Sequence, residues 1–214
     1  MLKTDILKKI ENKEITKEAL VKKIKNDFSI LPIIISGVSS DKASIRYGCS
    51  NTLTLFSGEN PKELYPYIDF FIKLLDSDYR ILKWAAIVII ANLTKVDTEN
   101  KFDSIFEKYY DNLDDGYMVT VANIVGNSGK IALAKPYLTQ KITDKLLIVE
   151  NISITPHLSE ECKRVITEQA INAFDMFFPQ IEQKNKVISF VKKHLNSSRE
   201  SLRTESEDFL KKWV

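Results

Sequence analysis

The chain has 214 residues, with 31 Lys and Arg against 29 Asp and Glu, 44% hydrophobic residues, and only six glycines and six prolines. A formal net charge of +2 gives no global pull toward nucleic acid or a membrane surface. So few turn formers exclude a β-sandwich with a turn about every ten residues and suit a mostly helical chain with a full core.

Residues 2–11 place Leu2, Ile6, Leu7 and Ile10 at helical spacing. Thr16 suits the N-cap of a second helix, continued by Leu20, Val21, Ile24 and Phe28, with Lys22, Lys23 and Lys25 mostly on the opposite, solvated face. An apolar helix containing Pro32 follows over 28–38. The turn Ser39-Ser40-Asp41 then leads to a helix from Ala43 to Ser57, ended by Gly58. Asn60-Pro61, an N-cap followed by proline at the first helical position, opens the next helix, which carries Leu64, Tyr67, Ile68, Phe71, Leu74 and Leu75. Asp76-Ser77-Asp78 makes its turn. The helix from Arg80 to Thr94 is apolar on nearly every side, as expected of one covered on several faces.

Beyond it, Phe102, Ile105, Phe106, Tyr109 and Tyr110 mark a helix, Asp114-Asp115-Gly116 a turn, and Met118 to Gly126 a second helix. Ile131 to Val149 holds Pro136 and reads as a kinked helix or two pieces. Thr155-Pro156-His157-Leu158-Ser159 is a loop ending in an N-cap, ahead of a helix from Cys162 to Phe178. The last pair runs from Gln180 to Leu195 and from Arg199 to Val214, joined by Ser197-Ser198. The final helix turns Leu202, Ser206, Phe209, Leu210 and Trp213 inward, and its other faces are densely charged, as a terminal cap requires.

Two of these stretches echo one another. Ile45-Arg46-Tyr47-Gly48-Cys49 and Leu82-Lys83-Trp84-Ala85-Ala86 share an aliphatic, basic, aromatic, small, small pattern 37 residues apart. Ile124-Val125-Gly126-Asn127 echoes Ile89-Ile90-Ala91-Asn92, and Ser201-Leu202-Arg203 is a further partial copy. Self-similarity at this period marks a helical repeat array. With its polar turn and aliphatic–basic–small opening, the pattern resembles the HEAT/armadillo-like family of helical repeats. The resemblance implies an all-α, right-handed α-α superhelix, a HEAT-like solenoid of about five helical hairpins. Residues 1–27 would form N-terminal capping helices and 28–214 the repeat domain, with repeats near 28–60, 61–97, 98–129, 130–178 and 179–214.

No catalytic constellation accompanies the repeats. The two histidines, His157 and His194, sit in a loop and near a helix C-terminus, where a favourable dipole contact explains the latter. No His–Glu pair has metal spacing, Gly126 and Gly129 do not follow a strand, and Cys49 and Cys162 have neither metal nor redox spacing. No cofactor or metal is expected. Asp76, Asp78, Asp114 and Asp115 lie in successive turns, where N-capping accounts for them more simply than a cation or basic-peptide site. The N-terminal residues do not read as a signal peptide, and the longest apolar stretch, from Trp84 to Ala91, is too short to span a bilayer; a cytoplasmic setting is the expectation.

The expected function is therefore non-catalytic: a scaffold or adaptor binding a protein or peptide on the concave face of its second helices. With Ile45, Cys49, Leu53 and Phe56 inward, Arg46, Tyr47, Ser50, Asn51 and Thr54 are placed outward, and the corresponding positions are Lys83, Trp84 and Val88, then Asn123 and Asn127. The binding residues expected are Arg46, Tyr47, Asn51, Lys83, Trp84, Asn123 and Asn127, with Tyr47 and Trp84 as anchors. For Arg46, Lys83 and Arg203, pairing with an acid in a neighbouring turn is the structural alternative.

The resemblance also admits a DNA glycosylase built from HEAT-like repeats. It implies aromatic residues, a base-contacting carboxylate and a basic lining, for which Tyr47, Trp84, Asp78 and Lys83 would stand. Charge disfavours that reading. Residues 1–60 carry 10 basic and 7 acidic residues, 61–129 carry 7 and 11, and 130–214 carry 14 and 11, so the middle of the chain is net acidic and repels phosphate. Nucleic acid is thus the disfavoured partner, no membrane is expected, and oligomeric state is left open.

Overall fold

The computed structural model describes residues 3–214, with side chains from residue 5 onward; Leu2, assigned above to the first helix, lies outside them. The chain divides into two compact units, 1–99 and 100–214.

The first unit contains α1 (Lys3–Glu11), α2 (Lys17–Asn26), α3 (Leu31–Gly37), α4 (Ala43–Glu59), α5 (Pro61–Leu64), α6 (Ile68–Leu74) and α7 (Arg80–Leu93). The second contains α8 (Lys101–Ser104), α9 (Phe106–Tyr110), α10 (Met118–Ala134), α11 (Thr139–Leu147), α12 (Glu160–Phe177), α13 (Lys184–Lys192) and α14 (Glu200–Trp213). Among the described residues the single β contact is an isolated bridge between Thr155 and Leu158. Among the described residues no helix is long and apolar enough to cross a membrane.

The expected helix pairs resolve into a short, broken first arm and one long second helix. Proline is the main cause, because it lacks the N–H that an uninterrupted helix needs. Pro32 stands in the first turn of α3, behind a 3-10 turn over Phe28–Ile30, so it starts that helix and does not kink it. Pro66 lies in the 3-10 turn Tyr65–Tyr67, which splits one expected helix into α5 and α6. Pro136 and Pro179 lie in the 3-10 turns Pro136–Leu138 and Phe178–Gln180. Phe28, expected to continue the buried stripe of α2, is 47% exposed beyond the end of that helix. Asn60 stands at the head of α5 but makes no side-chain cap, and Gly58 lies within α4.

Two features bear on the expected boundaries. The N-terminal helices expected as a cap dock directly on the first repeat. Ile6, Ile10, Leu20, Val21 and Ile24 are buried, and α1 and α2 pack on α4. A Cβ on Gly48 of α4 would lie 2.4 Å from Ile10 Cγ2, so only glycine admits α1 there. The second is α10, which runs through the expected repeat boundary at 129/130 and reaches Ala134. Its two glycines are explained by α12, since a Cβ on Gly129 would come within 2.6 Å of Met176 Sδ and 3.2 Å of the Ala173 carbonyl oxygen. Close packing thus offsets the roughly 1 kcal/mol that glycine costs inside a helix. The turn before α10 needs Gly116, whose φ is +78°.

Cys49 fills an alanine-like position in the core of the first unit. It is fully buried, and burial pushes its thiol up to about 12. A buried thiol of this kind behaves as a small apolar side chain.

Candidate functional site

Three helices, two in the first unit and one in the second, begin in the same way. Ser40, Ser77 and Ser197 each stand three residues ahead of α4, α7 and α14, and each hydroxyl oxygen accepts from the backbone N–H two residues on, at Lys42, Tyr79 and Arg199 (3.2 Å in all three). This local turn fixes the entry to the helix.

Arg46 belongs to that turn and not to an open face, which corrects its expected placement. It is 7% exposed, and its guanidinium donates to the carbonyls of Ser40 (2.8 Å) and Asp41 (3.3 Å). It also lies 4.0 Å from the centroid of the Tyr79 ring and 4.9 Å from that of Tyr47. Arg203 repeats the arrangement, donating to the Ser197 carbonyl at 2.6 Å. Both arginines therefore serve backbone carbonyls and not the neighbouring acid expected of them. Ser50, also placed outward by the sequence, is buried.

The other expected residues separate into two groups. In the first unit α4 and α7 pack side by side, and Tyr47 and Trp84 are the fifth residue of each. Both are half-buried, as is Lys83, whereas Asn51 is exposed and makes no side-chain hydrogen bond among the described residues. Tyr79 and Ile81 join this group, at 50% and 39% exposure. Sequence reasoning missed them. The available signal was an aromatic residue at the N-cap of α7, where a small polar residue is the norm.

In the second unit Asn123 and Asn127 turn back on their own helix. Asn123 Nδ2 donates to the Val119 carbonyl and Asn127 Nδ2 to the Asn123 carbonyl, at 2.9 and 2.8 Å. Asn127 is buried, against expectation, and its Oδ1 accepts from Lys130. Asn123 remains half-buried.

Several of the remaining polar groups have structural employment. His157 stacks on Tyr117 at 4.1 Å, and its carbonyl accepts from the Met118 N–H. Burial lowers His194 below the ordinary imidazole range, against the opposing charge of Glu150. Asp115 accepts from the Thr120 hydroxyl at 2.6 Å, at the start of α10. Among the described residues no group of three or more His, Cys, Asp or Glu could hold a metal ion. Burial first, then the carboxylates of Glu168, Asp208 and Asp175, raise Glu205 above the usual range.

No protein-family model matches the chain, and no curated protein matches it. Solved structures do. A designed armadillo repeat protein is similar over 96% of this chain and 89% of its own, at 16% identity and a TM-score of 0.55. A second designed armadillo repeat protein, solved in complex with the peptide (KR)4, is similar over 99% of this chain and 92% of its own, at 14% identity and a TM-score of 0.59. An engineered protein solved as a structural-genomics target covers 96% of this chain and 86% of its own, at 14% identity and a TM-score of 0.52. The fold is an all-α solenoid of armadillo/HEAT-like repeats.

Proposed function

We propose that this chain is a non-catalytic scaffold that binds an extended segment of a protein partner on the face formed by α4 and α7. One observation carries the reading: Tyr47 and Trp84 hold the same position on two packed helices, both partly accessible, with exposed Asn51, Tyr79 and Ile81 on the same helices or at the head of α7. Aromatic side chains of this kind dominate binding energy, and amide groups serve the backbone of an extended ligand. Lys83 completes the set in the first unit, and Asn123 is its member in the second. Arg46 and Asn127 leave it, because both are buried and hydrogen-bonded. The peptide held by a designed protein of similar fold lends support. A reducing, cytoplasmic setting suits the free thiols of Cys49 and Cys162.

The test is affinity capture from native lysate, with and without nuclease, by the wild type and by Tyr47→Ala with Trp84→Ala. The expected result is a nuclease-resistant protein partner whose affinity falls at least about thirtyfold in the variant, with helical circular dichroism unchanged. Loss of helical content would show that the two rings are packing elements and end the interface assignment. Capture that disappears with nuclease would transfer the weight to nucleic acid, and release of an alkylated base from duplex DNA would then be the assay.

A further inference from the structure

The groove between α2 and α4 carries a charge pattern of its own. Two cavities open along it and meet at Lys17, which lines both. One, of about 290 Å³, has Ile10, Ile15 and Leu20 as an apolar floor, with Lys13, Ser44 and Asn51 among its polar lining. The other, of about 420 Å³, is lined by Val21 and Leu55 with Lys22, Lys25, Glu18 and Glu59. Four lysines thus face two glutamates. Glu59 is held by Lys25, and Glu18 lies 3.9 Å from Lys17. Lys13 and Lys22 have no ion pair among the described residues, and the side chains of Ser44 and Asn51 have no hydrogen-bond partner there.

We infer that this groove binds an acidic, extended peptide segment, an aliphatic side chain of which enters the cavity over Ile10, Ile15 and Leu20 while its carboxylates meet Lys13 and Lys22. The apolar floor selects a peptide over a polyphosphate chain, which gains nothing from it and depends on a density of cations that two unpaired lysines do not supply. The Asn51 amide and the Ser44 hydroxyl suit backbone carbonyl and N–H groups. The inference rests on the scaffold reading and adds the chemical class of the partner, together with a second stretch of surface on which it lies.

The experiment is fluorescence anisotropy with the full chain and two labelled peptides, one of alternating glutamate and leucine and one of alternating lysine and leucine. The glutamate peptide is expected to bind and the lysine peptide not. Lys13→Glu with Lys22→Glu should weaken the glutamate peptide roughly tenfold, and Lys13→Gln with Lys22→Gln by a smaller factor in the same direction. Both positions are exposed, so circular dichroism should not change. Equal affinity for the two peptides, no effect of charge reversal, or tighter binding of a single-stranded oligonucleotide would overturn the inference. A selection from a random peptide library separates it from the broader reading. Neutral or basic binders that need Tyr47 and Trp84 would leave the scaffold standing and remove the acidic groove. No binder of any kind would remove both.

Discussion

Arg46→Met is expected to lower the free energy of unfolding by about 2 kcal/mol, with any effect on partner binding confined to the Tyr47 and Tyr79 rings that its guanidinium touches. The estimate combines a charged hydrogen bond to a carbonyl, about 1.5–3 kcal/mol, with a ring contact of about 0.5–2 kcal/mol, less the desolvation that an apolar replacement relieves. The carbonyls of Ser40 and Asp41 lose their donor, and the Tyr79 ring loses the guanidinium 4.0 Å from its centroid. Arg46→Lys should recover only part of the loss, because an ammonium can donate to the carbonyls but lacks the planar guanidinium that lies over the Tyr79 ring. Urea denaturation of the three proteins measures this. Unchanged stability together with weakened binding would return Arg46 to the binding face and contradict the structural assignment.

A larger loss is expected in the second unit. Phe174 of α12 is fully buried, with the Phe190 ring edge-on at 5.8 Å and Phe177 at 6.1 Å. Truncation to alanine should cost about 3–5 kcal/mol, since the transfer free energy is lost and a cavity remains. Phe174→Leu, which preserves most of the volume, should cost about 1.5 kcal/mol or less. The chain holds one tryptophan in each unit, Trp84 and Trp213, so the Trp84→Phe background lets Trp213 report on the second unit alone. There Trp213 is tied to α12 through its indole N–H and Asp175, at 2.6 Å. Its urea midpoint should fall clearly in Phe174→Ala and slightly in Phe174→Leu. Equal, small shifts in both would mean that Phe174 is not part of a close-packed core.

The repeat architecture was legible because it is written locally. The echo of Ile45–Cys49 in Leu82–Ala86 and the serines three residues ahead of α4, α7 and α14 are short-range signals that survive without tertiary context. The broken first arms were not legible. Apolar spacing continues across Pro66, so periodicity alone joins α5 to α6, and the missing N–H decides otherwise. Nor was the full length of α10, which the sequence reading ends at Gly126 and which α12 packs against through Gly126 and Gly129.

The candidate site was only partly legible, for a reason of helix geometry. Side chains tilt toward the helix N-terminus, so a long arginine in the first turn reaches back over the preceding loop. A helical wheel places Arg46 outward by angle and cannot show that its guanidinium returns to Ser40. The Asn127 amide is likewise drawn back to the Asn123 carbonyl one turn earlier. Tyr47 and Trp84 escape this because their rings are shorter and rigid, and they stay partly accessible. The groove between α2 and α4 depends on how the N-terminal helices dock. The apolar stripe of α2 implied that it docks somewhere, not that it docks on α4.

A partner seated on the α4–α7 face would lie against Trp84. The most direct test is the emission of Trp84 in a Trp213→Phe background, titrated with the captured or selected partner while anisotropy follows binding independently. A saturable change in Trp84 emission is expected, with the same midpoint as the anisotropy. Full binding by anisotropy with Trp84 emission unmoved would place the partner elsewhere on the chain and contradict this seating.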